Sequence, residues 1–304
     1  MDVYLSFDDG IQSGTKQVLE TLKANSVKAT FFLTGSFSNH YISQDETNFL
    51  CCLKDIYENH SIGNHSFSHA NEFYSDYYHK GLKIDNSDLR RSVTDDFKLN
   101  KNWINTYLAR IFGEKKINES TLLAANQVIQ LGRLPGRNAW RINPAIFNSN
   151  QANFLISIDD VDTKQEADML FQDGYQIFGW HEEWKMKFEL SSDTRSFFKQ
   201  NIETIVGEYN SPNWDLHSME NFKKDRLTED YQDLIDRMMT KRNSEKLIIL
   251  MHDRAFRTGY KKNNTNISPE ISIKYFDNER EKLSKMINTL KQYNARFKTL
   301  DKFY

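Results

Sequence analysis

Residues 1–14 read MDVYLSFDDGIQSG, an apolar run that ends on two adjacent carboxylates and a glycine. Val3, Tyr4, Leu5 and Phe7 have the β-branched and aromatic character of a buried strand, and Gly10 supplies the break that ends it. Asp8 and Asp9 repel each other at the mouth of that strand. A fold keeps both there when something cationic sits beside them. Taken alone, the stretch is equally a polar turn in which one aspartate caps the next helix.

Outward from this strand, strand-like and helix-like stretches alternate. Gly14 to Ala24 reads as a helix, Lys28 to Leu33 as a second strand, residues 44–58 as a helix and Ser61 to Asn64 as a third strand. Further strands are expected at Phe154–Ile158, Tyr175–Phe178 and Lys246–Met251. Continuous apolar strands separated by helices predict an α/β fold with a parallel sheet covered by helices, open or closed into a barrel. With no internal repeat and no Pro/Gly-rich linker, residues 1–304 are expected to form one domain. Polar insertions are expected near 80–120 and 185–245, with an exposed loop over 257–268.

Forty basic residues stand against 42 acidic ones, a formal net charge of −2. That balance argues against a chain built to coat nucleic acid or an anionic membrane. Mean hydropathy is −0.70, and no apolar stretch approaches the ~20 residues that cross a bilayer. Asp2 follows Met1 and a strand begins at once. Met1 therefore opens a cytoplasmic chain, or stands where an export signal has been removed from a secreted or periplasmic one. Cys51 and Cys52 are adjacent and cannot form an ordinary loop-closing disulfide. They lie in an amphipathic segment with Phe49, Leu50, Leu53 and Ile56 and are expected to be buried thiols.

Five polar groups follow apolar strands, at the edge where parallel α/β folds gather functional loops. Asp8-Asp9-Gly10 is the first. Asn64-His65-Ser66-Phe67-Ser68-His69 puts two imidazoles four residues apart, on a helical turn or a tight turn mimicking one, where both can ligate one metal. With one aspartate they make three protein ligands, the number that leaves a position open for water. Arg133-Leu134-Pro135-Gly136-Arg137 offers an arginine for a carboxylate and a turn with exposed N–H groups, or is simply a charged β-turn. Gly179-Trp180-His181-Glu182-Glu183-Trp184 and Leu250-Met251-His252-Asp253 complete the set. Trp140, Trp180, Trp184 and Trp214 are core residues or platforms for sugar rings. His252, taken alone, is equally a structural histidine.

In order, SFDDG, NHSFSH, RLPGR, GWHEEW and LMHD resemble the five motifs of the polysaccharide deacetylase family, the NodB-homology carbohydrate esterases of family 4. The resemblance covers residues 5 to about 256 and implies a distorted, often seven-stranded (β/α) barrel. It also implies a divalent metal, usually zinc (Co²⁺, Ni²⁺ or Mn²⁺ otherwise), and removal of N-acetyl groups from a GlcNAc-containing glycan. Carried over position by position, Asp8 is the general base, and Asp9, His65 and His69 hold the metal. Arg133 tethers the base, His252 is the general acid and Leu250 lines the acetyl pocket. Glu183 and Trp184 match an Asp-Trp pair whose carboxylate orients the acid and raises its pKa. Two departures stand out. Gly136 follows Pro135 where the family has an aromatic residue, with Arg137 in the place of glycine, so the oxyanion donor is expected to be the Gly136 backbone N–H. Glu183 stands in place of aspartate. The substrate is left open among peptidoglycan, an exopolysaccharide, chitin-type oligomers and a lipid-linked sugar. A catalytically silent glycan-binding domain is disfavoured by the presence of Asp8 and His252. A phosphoryl-transfer reading of Asp160-Val161-Asp162-Thr163 lacks a Gly-rich phosphate cradle.

Overall fold

The computed structural model describes residues 1–72, 74–84, 89–113, 130–143, 163–188, 226–241, 244–256 and 269–303. The expected strand at 154–158, the aspartates at 160 and 162, Trp214 and the 257–268 loop lie outside them.

The first half runs β1 (Asp2–Gly10), α1 (Thr15–Ala24), β2 (Thr30–Leu33), α2 (Gly35–Asn59), β3 (Ser61–Asn64), α3 (Tyr74–Lys80), β4 (Leu82–Lys83), β5 (Arg90–Arg91) and α4 (Val93–Phe112). The described elements continue with β6 (Leu131–Gly132), α5 (Lys164–Gln172), β7 (Gln176–Ile177), β8 (Glu182–Glu183), β9 (Met186–Phe188), β10 (Arg226–Thr228) and α6 (Tyr231–Thr240). β11 (Lys246–His252), α7 (Pro269–Gln292) and β12 (Arg296–Lys298) close the chain. None of the described helices is long and apolar enough to cross a membrane.

The main sheet has the order β7-β6-β3-β2-β1-β11-β8, with β12 added beside the start of β1. Every pairing in it is parallel. Its edge strands are consecutive in the chain, so Ile177 and Glu182 stand at opposite edges with four residues between them. Five residue steps span at most about 18 Å, whereas the edges of a flat seven-stranded sheet lie about 29 Å apart. The sheet must therefore curl, and it forms a half-barrel with its edges drawn together.

Strand alternation divides the side chains of this curled sheet. Val3, Leu5, Phe7, Phe31, Leu33, Ile62, Leu247, Ile249 and Met251 face outward and pack with Val18, Leu22, Phe49, Leu53, Ile56 and Ile287 of the helices. Each fully buried side chain of this kind contributes about 1.5–3 kcal/mol. Tyr4, Phe32 and Ile248 face inward, where they meet Phe178 and Phe303 and plug one end of the barrel. The next inward positions on β1 are Ser6 and Asp8. Their register partners on β11 are Leu250 and His252. The site thus grows from the same inner face as the plug, at the C-terminal ends of the strands.

Two local expectations are revised. The helix expected over 44–58 begins at Gly35, with a break at Asp45 (φ −156°, ψ 76°). Asp45 caps the second piece, its carboxylate accepting from the Asn48 N–H at 3.1 Å. Of the two cysteines only Cys52 is buried; Cys51 is exposed, because neighbouring helix positions face about 100° apart.

Candidate active site

In a regular strand Asp8 and Asp9 would point to opposite faces. The β1–β2 register slips between Asp8, opposite Phe32, and Gly10, opposite Leu33, leaving Asp9 as an extra residue. Asp9 takes a left-handed conformation, φ 69°. Such a bulge re-aims a side chain, and here both carboxylates converge with His65: His65 Nε2 lies 3.6 Å from Asp8 Oδ2 and 3.6 Å from Asp9 Oδ1. His69 Nε2 lies 3.1 Å from Asp9 Oδ1.

The two histidines are not on a helical turn. They bracket a tight loop in which Ser66 (φ 62°) and His69 (φ 52°) are left-handed. Asn64 Oδ1 accepts from the Ser66 N–H at 3.0 Å, and Ser66 Oγ accepts from the His69 N–H at 3.1 Å. The loop is stapled from outside by Asp96 in the first turn of α4, whose Oδ2 accepts from the Ser68 N–H (3.1 Å), Ser68 Oγ (2.7 Å) and Tyr77 Oη (3.1 Å). Ser92 caps that helix, accepting from the Asp95 N–H.

Arg133 is fully buried and acts through both its backbone and its side chain. Its carbonyl lies 2.8 Å from His65 Nδ1; a proton there leaves Nε2 free to ligate. Its guanidinium donates to Asp8 Oδ1 (2.8 Å), Ser6 Oγ (2.8 Å), Phe178 O (3.0 Å) and Gly179 O (3.0 Å). It therefore ties the base candidate on β1 to the segment between the two edge strands.

After Arg133 the chain turns. Pro135 and Gly136 (φ 64°) occupy the central positions of a turn closed by the Arg137 N–H to Leu134 O at 3.3 Å, the type II pattern that needs glycine third. Tyr78 Oη donates to Pro135 O at 2.7 Å. Because C=O and N–H of a trans peptide point oppositely, this bond aims the Gly136 N–H away from Tyr78. A Cβ at Gly136 would lie 2.7 Å from the Tyr74 ring, which also stands edge-on to His69 with centroids 5.8 Å apart. An aromatic ring thus does lie against this turn, but α3 supplies it, which accounts physically for glycine at that position.

His252 lies on the inner face, Nε2 3.8 Å from Asp9 Oδ2, and its Nδ1 is buried without a hydrogen-bond partner among the described residues. Burial, then the Arg254 charge, push its pKa down to about 4. No hydrogen bond or ion pair joins it to Glu183 among the described residues, so the expectation that Glu183 raises its pKa is corrected. Glu183 pairs with Leu250 in the sheet, and burial followed by the Asp8 charge raises its own pKa. Leu250 faces inward opposite Ser6, two residues short of the Asp8–His252 pair. Trp184 is placed in the outer core: it is buried, packs against Phe256 (5.9 Å) and donates its indole N–H to Glu229 O at 3.0 Å. It presents no sugar-facing surface.

Three residues were missed by the sequence reading. Arg254 forms an ion pair with Asp9 Oδ2. Asp253 binds Gln12 Nε2 (2.8 Å) and Thr15 Oγ1 and so pins the loop after Asp9. Tyr74 is the third. The charged triplet His252-Asp253-Arg254 at a strand end was a visible signal; nothing local marks Tyr74.

A metal fits here. The ligand atoms of Asp9, His65 and His69 all lie within 4.8 Å of one another, and all three residues are buried. Asp9 Oδ1 has no hydrogen-bond partner among the described residues. The protonation states favoured at Asp9 and His65 suit ligation as well. Burial pushes the Asp9 carboxyl up, but the His69 and Arg254 charges outweigh it and hold it well below the usual carboxylate range. Burial lowers the His65 pKa and favours the neutral ring.

The fold and the cluster define a class: a curled parallel β/α sheet with an Asp-His-His cluster, which a cation would fit, at the C-terminal ends of its strands. Residues 1–116 match the family model described as polysaccharide deacetylase. The matched segment, which holds Asp8, Asp9, His65 and His69, is similar to the polysaccharide deacetylase family. Over 68 residues the chain is 43% identical to a peptidoglycan-N-acetylmuramic acid deacetylase of Bacillus subtilis, covering 22% of this chain and 23% of that one. It is 24% identical over 209 residues to a chitin disaccharide deacetylase of Vibrio alginolyticus, covering 60% and 47% respectively. The chain therefore spans less than half the length of either relative. A CE4 esterase structure from Streptococcus mutans superposes with a TM-score of 0.50 at 19% identity, covering 98% of this chain and 85% of the other, and shows the shared fold.

Proposed function

We propose that this protein is a metal-dependent deacetylase that hydrolyses the N-acetyl amide of GlcNAc-type sugars in a glycan, releasing acetate. The observation that carries the reading is the buried Asp9-His65-His69 cluster with an orphaned carboxylate oxygen, beside a second carboxylate, Asp8, held by Arg133. Peptidoglycan is the favoured glycan, because the Bacillus subtilis relative is named for that polymer; chitin-type oligomers follow from the Vibrio relative. Strands drawn from residue 2 to residue 298 into one sheet support reading 1–304 as a single domain.

Asp9, His65 and His69 would hold the ion, zinc for preference. When bound, such an ion lowers the pKa of water and polarises a carbonyl. Asp8 accepts the proton of the attacking water, its orientation fixed by Arg133 so that one oxygen remains for the task. The Gly136 N–H, aimed by Tyr78, donates to the oxyanion that develops on the acetyl carbonyl oxygen as water adds to its carbon. Leu250 on the inner face is suited to the acetyl methyl. His252 is the proton donor to the leaving amine. Burial and the Arg254 charge disfavour its protonated form in the free protein. It therefore takes up a proton from solvent as the anion forms beside it and passes that proton to the amine, while Asp8 returns the proton of the attacking water to solvent. Glu183 acts through the field of this inner face, with no direct bond to His252.

The test is acetate release from peptidoglycan strands, chitin oligomers and an N-acetylated exopolysaccharide, before and after chelation and with Zn²⁺ or Co²⁺ returned. Activity should vanish on chelation and return with metal, and His65→Ala and His69→Ala should lose stoichiometric metal. No acetate from any of the glycans by the metal-replete protein would overturn the reading.

A further inference from the structure

The two oxygens of Asp9 have different surroundings. Oδ1 faces His69 Nε2 at 3.1 Å and His65 Nε2 at 3.6 Å and has no hydrogen-bond partner among the described residues. Oδ2 is taken by the Arg254 guanidinium, whose side chain is 14% exposed against 1% for Asp9. We propose that Arg254 is a positioning residue of the metal site: it holds Asp9 Oδ2 so that Oδ1 alone is turned to the two imidazoles and offered to a divalent cation. This rests on the metal reading above.

The backbone around Arg254 is built to hold that posture. It belongs to a short 3₁₀ turn, Asp253–Phe256, in which Ala255 and Phe256 are buried. On its other side Asp253 is fastened to Gln12 and Thr15. The loop after Asp9 lies directly on this turn: a Cβ at Gly14 would fall 1.7 Å from the Asp253 carbonyl oxygen. Both ends of the Asp9–Arg254 bond are therefore anchored to the same packed junction between β1 and β11. A carboxylate free to rotate presents either oxygen or both to a cation, so a partner fixed on Oδ2 decides which oxygen Asp9 offers.

The sign of the effect on metal affinity separates positioning from bulk charge. A guanidinium acting through its charge alone repels a divalent cation, so removing it would tighten binding. A guanidinium that orients the ligand loosens binding when removed. Zn²⁺ affinity is measured by competition with a chromophoric chelator for wild type, Arg254→Gln, Arg254→Met and Arg254→Lys, and the visible spectrum of each Co²⁺-loaded protein is recorded. The expected result is Zn²⁺ binding at least about 5-fold weaker in R254Q and R254M, within the range usual for loss of a partner behind a metal ligand or just below it. A weaker Co²⁺ band should report a second Asp9 oxygen entering the coordination sphere, and R254K should recover most of both. Equal or tighter Zn²⁺ binding in the folded variants, or an unchanged Co²⁺ spectrum, would overturn the assignment. Wild type that binds no Zn²⁺ would instead overturn the metal reading.

Discussion

Replacing Arg133 by methionine tests how the site is held together, and the structure sets the size of the effect. The guanidinium is fully buried and bonds one carboxylate, one hydroxyl and two carbonyls. Breaking a buried ion pair from one side costs about 3–5 kcal/mol, because the other charge is left uncompensated. Orphaning the Phe178 and Gly179 carbonyls adds about 1 kcal/mol each. Ser6 adds little, since its hydroxyl still donates to Ile249 O at 2.8 Å. The total is about 5–7 kcal/mol. With an unfolding entropy of about 2.1 cal/mol/K per residue, 1 kcal/mol moves Tm by about 1.6 °C in a chain of this length, so R133M should melt about 8–11 °C lower. Asp8→Asn in the same background removes the uncompensated charge. The double variant should therefore be more stable than the sum of the single losses by about 2–3 kcal/mol. The assay is a thermal-melt double-mutant cycle on metal-free protein, which keeps ligation out of the comparison. A coupling energy below about 0.5 kcal/mol would refute the claim that Arg133 and Asp8 act as a pair.

Tyr78→Phe removes the hydroxyl that aims the Gly136 N–H while leaving the ring in the core. kcat for deacetylation should fall by about 5–10-fold with KM little changed, as expected for loosening one oxyanion donor; an equal rise in KM with kcat intact would count against the assignment. A second expectation concerns acid. His60 Nδ1 accepts from the Ala29 N–H (3.1 Å) and His181 Nδ1 from the Ile248 N–H (3.0 Å), and burial pushes each pKa down to about 4. Between about pH 6.5 and 4 the unfolded chain holds more protons at these sites than the native one, so their stabilisation is complete above 6.5 and is lost as pH falls toward 4. Because both rings are partly exposed, the loss is about 1–2 kcal/mol each, or about 3–6 °C together. Asp253, raised to about 7 by burial, works in the opposite direction. The comparison is therefore wild type against His60→Asn/His181→Asn, which keeps an acceptor that does not titrate; parallel Tm curves for the two proteins would refute it.

The strands and the order of the site residues were legible because both are local facts. Apolar runs such as Leu247–Met251 read as buried strands, and the polar residues just beyond them must fall at one sheet edge. Less legible was anything set by a partner far away in sequence. The His65–His69 loop looked compatible with a helical turn, since the geometry that overrides it comes from Asp96, 28 positions on from Ser68. The aromatic ring beside Gly136 comes from Tyr74, and the bond that aims its N–H comes from Tyr78, both about 60 positions earlier in the chain. The expected Glu183–His252 contact failed for a related reason: β8 pairs with β11 two residues short of His252, and spacing in the sequence does not set that register.

Backbone conformation was the other illegible layer, and it concentrates where the chemistry is proposed. Asp9, Ser66, His69 and Ala70 all have left-handed φ without being glycine, each at a cost of about 1 kcal/mol or more. A sequence optimised for stability alone would place glycine or asparagine there, yet His69 and Asp9 are needed for their side chains. The surrounding bonds oppose relaxation: Asn64 and Asp96 hold the histidine loop, and Asp253 pins the segment after Asp9. These hubs are buried carboxylates and amides whose partners are mostly backbone N–H groups and hydroxyls of the loops themselves. The structure thus stores strain in four ligand-bearing or adjacent residues and balances it through Asn64, Asp96 and Asp253, all fully buried. Asp8 and Asp9 from β1 and His65 and His69 from the loop after β3 can then converge, with His65 Nε2 3.6 Å from both carboxylates, although regular strand alternation alone would have turned one of the two aspartates away.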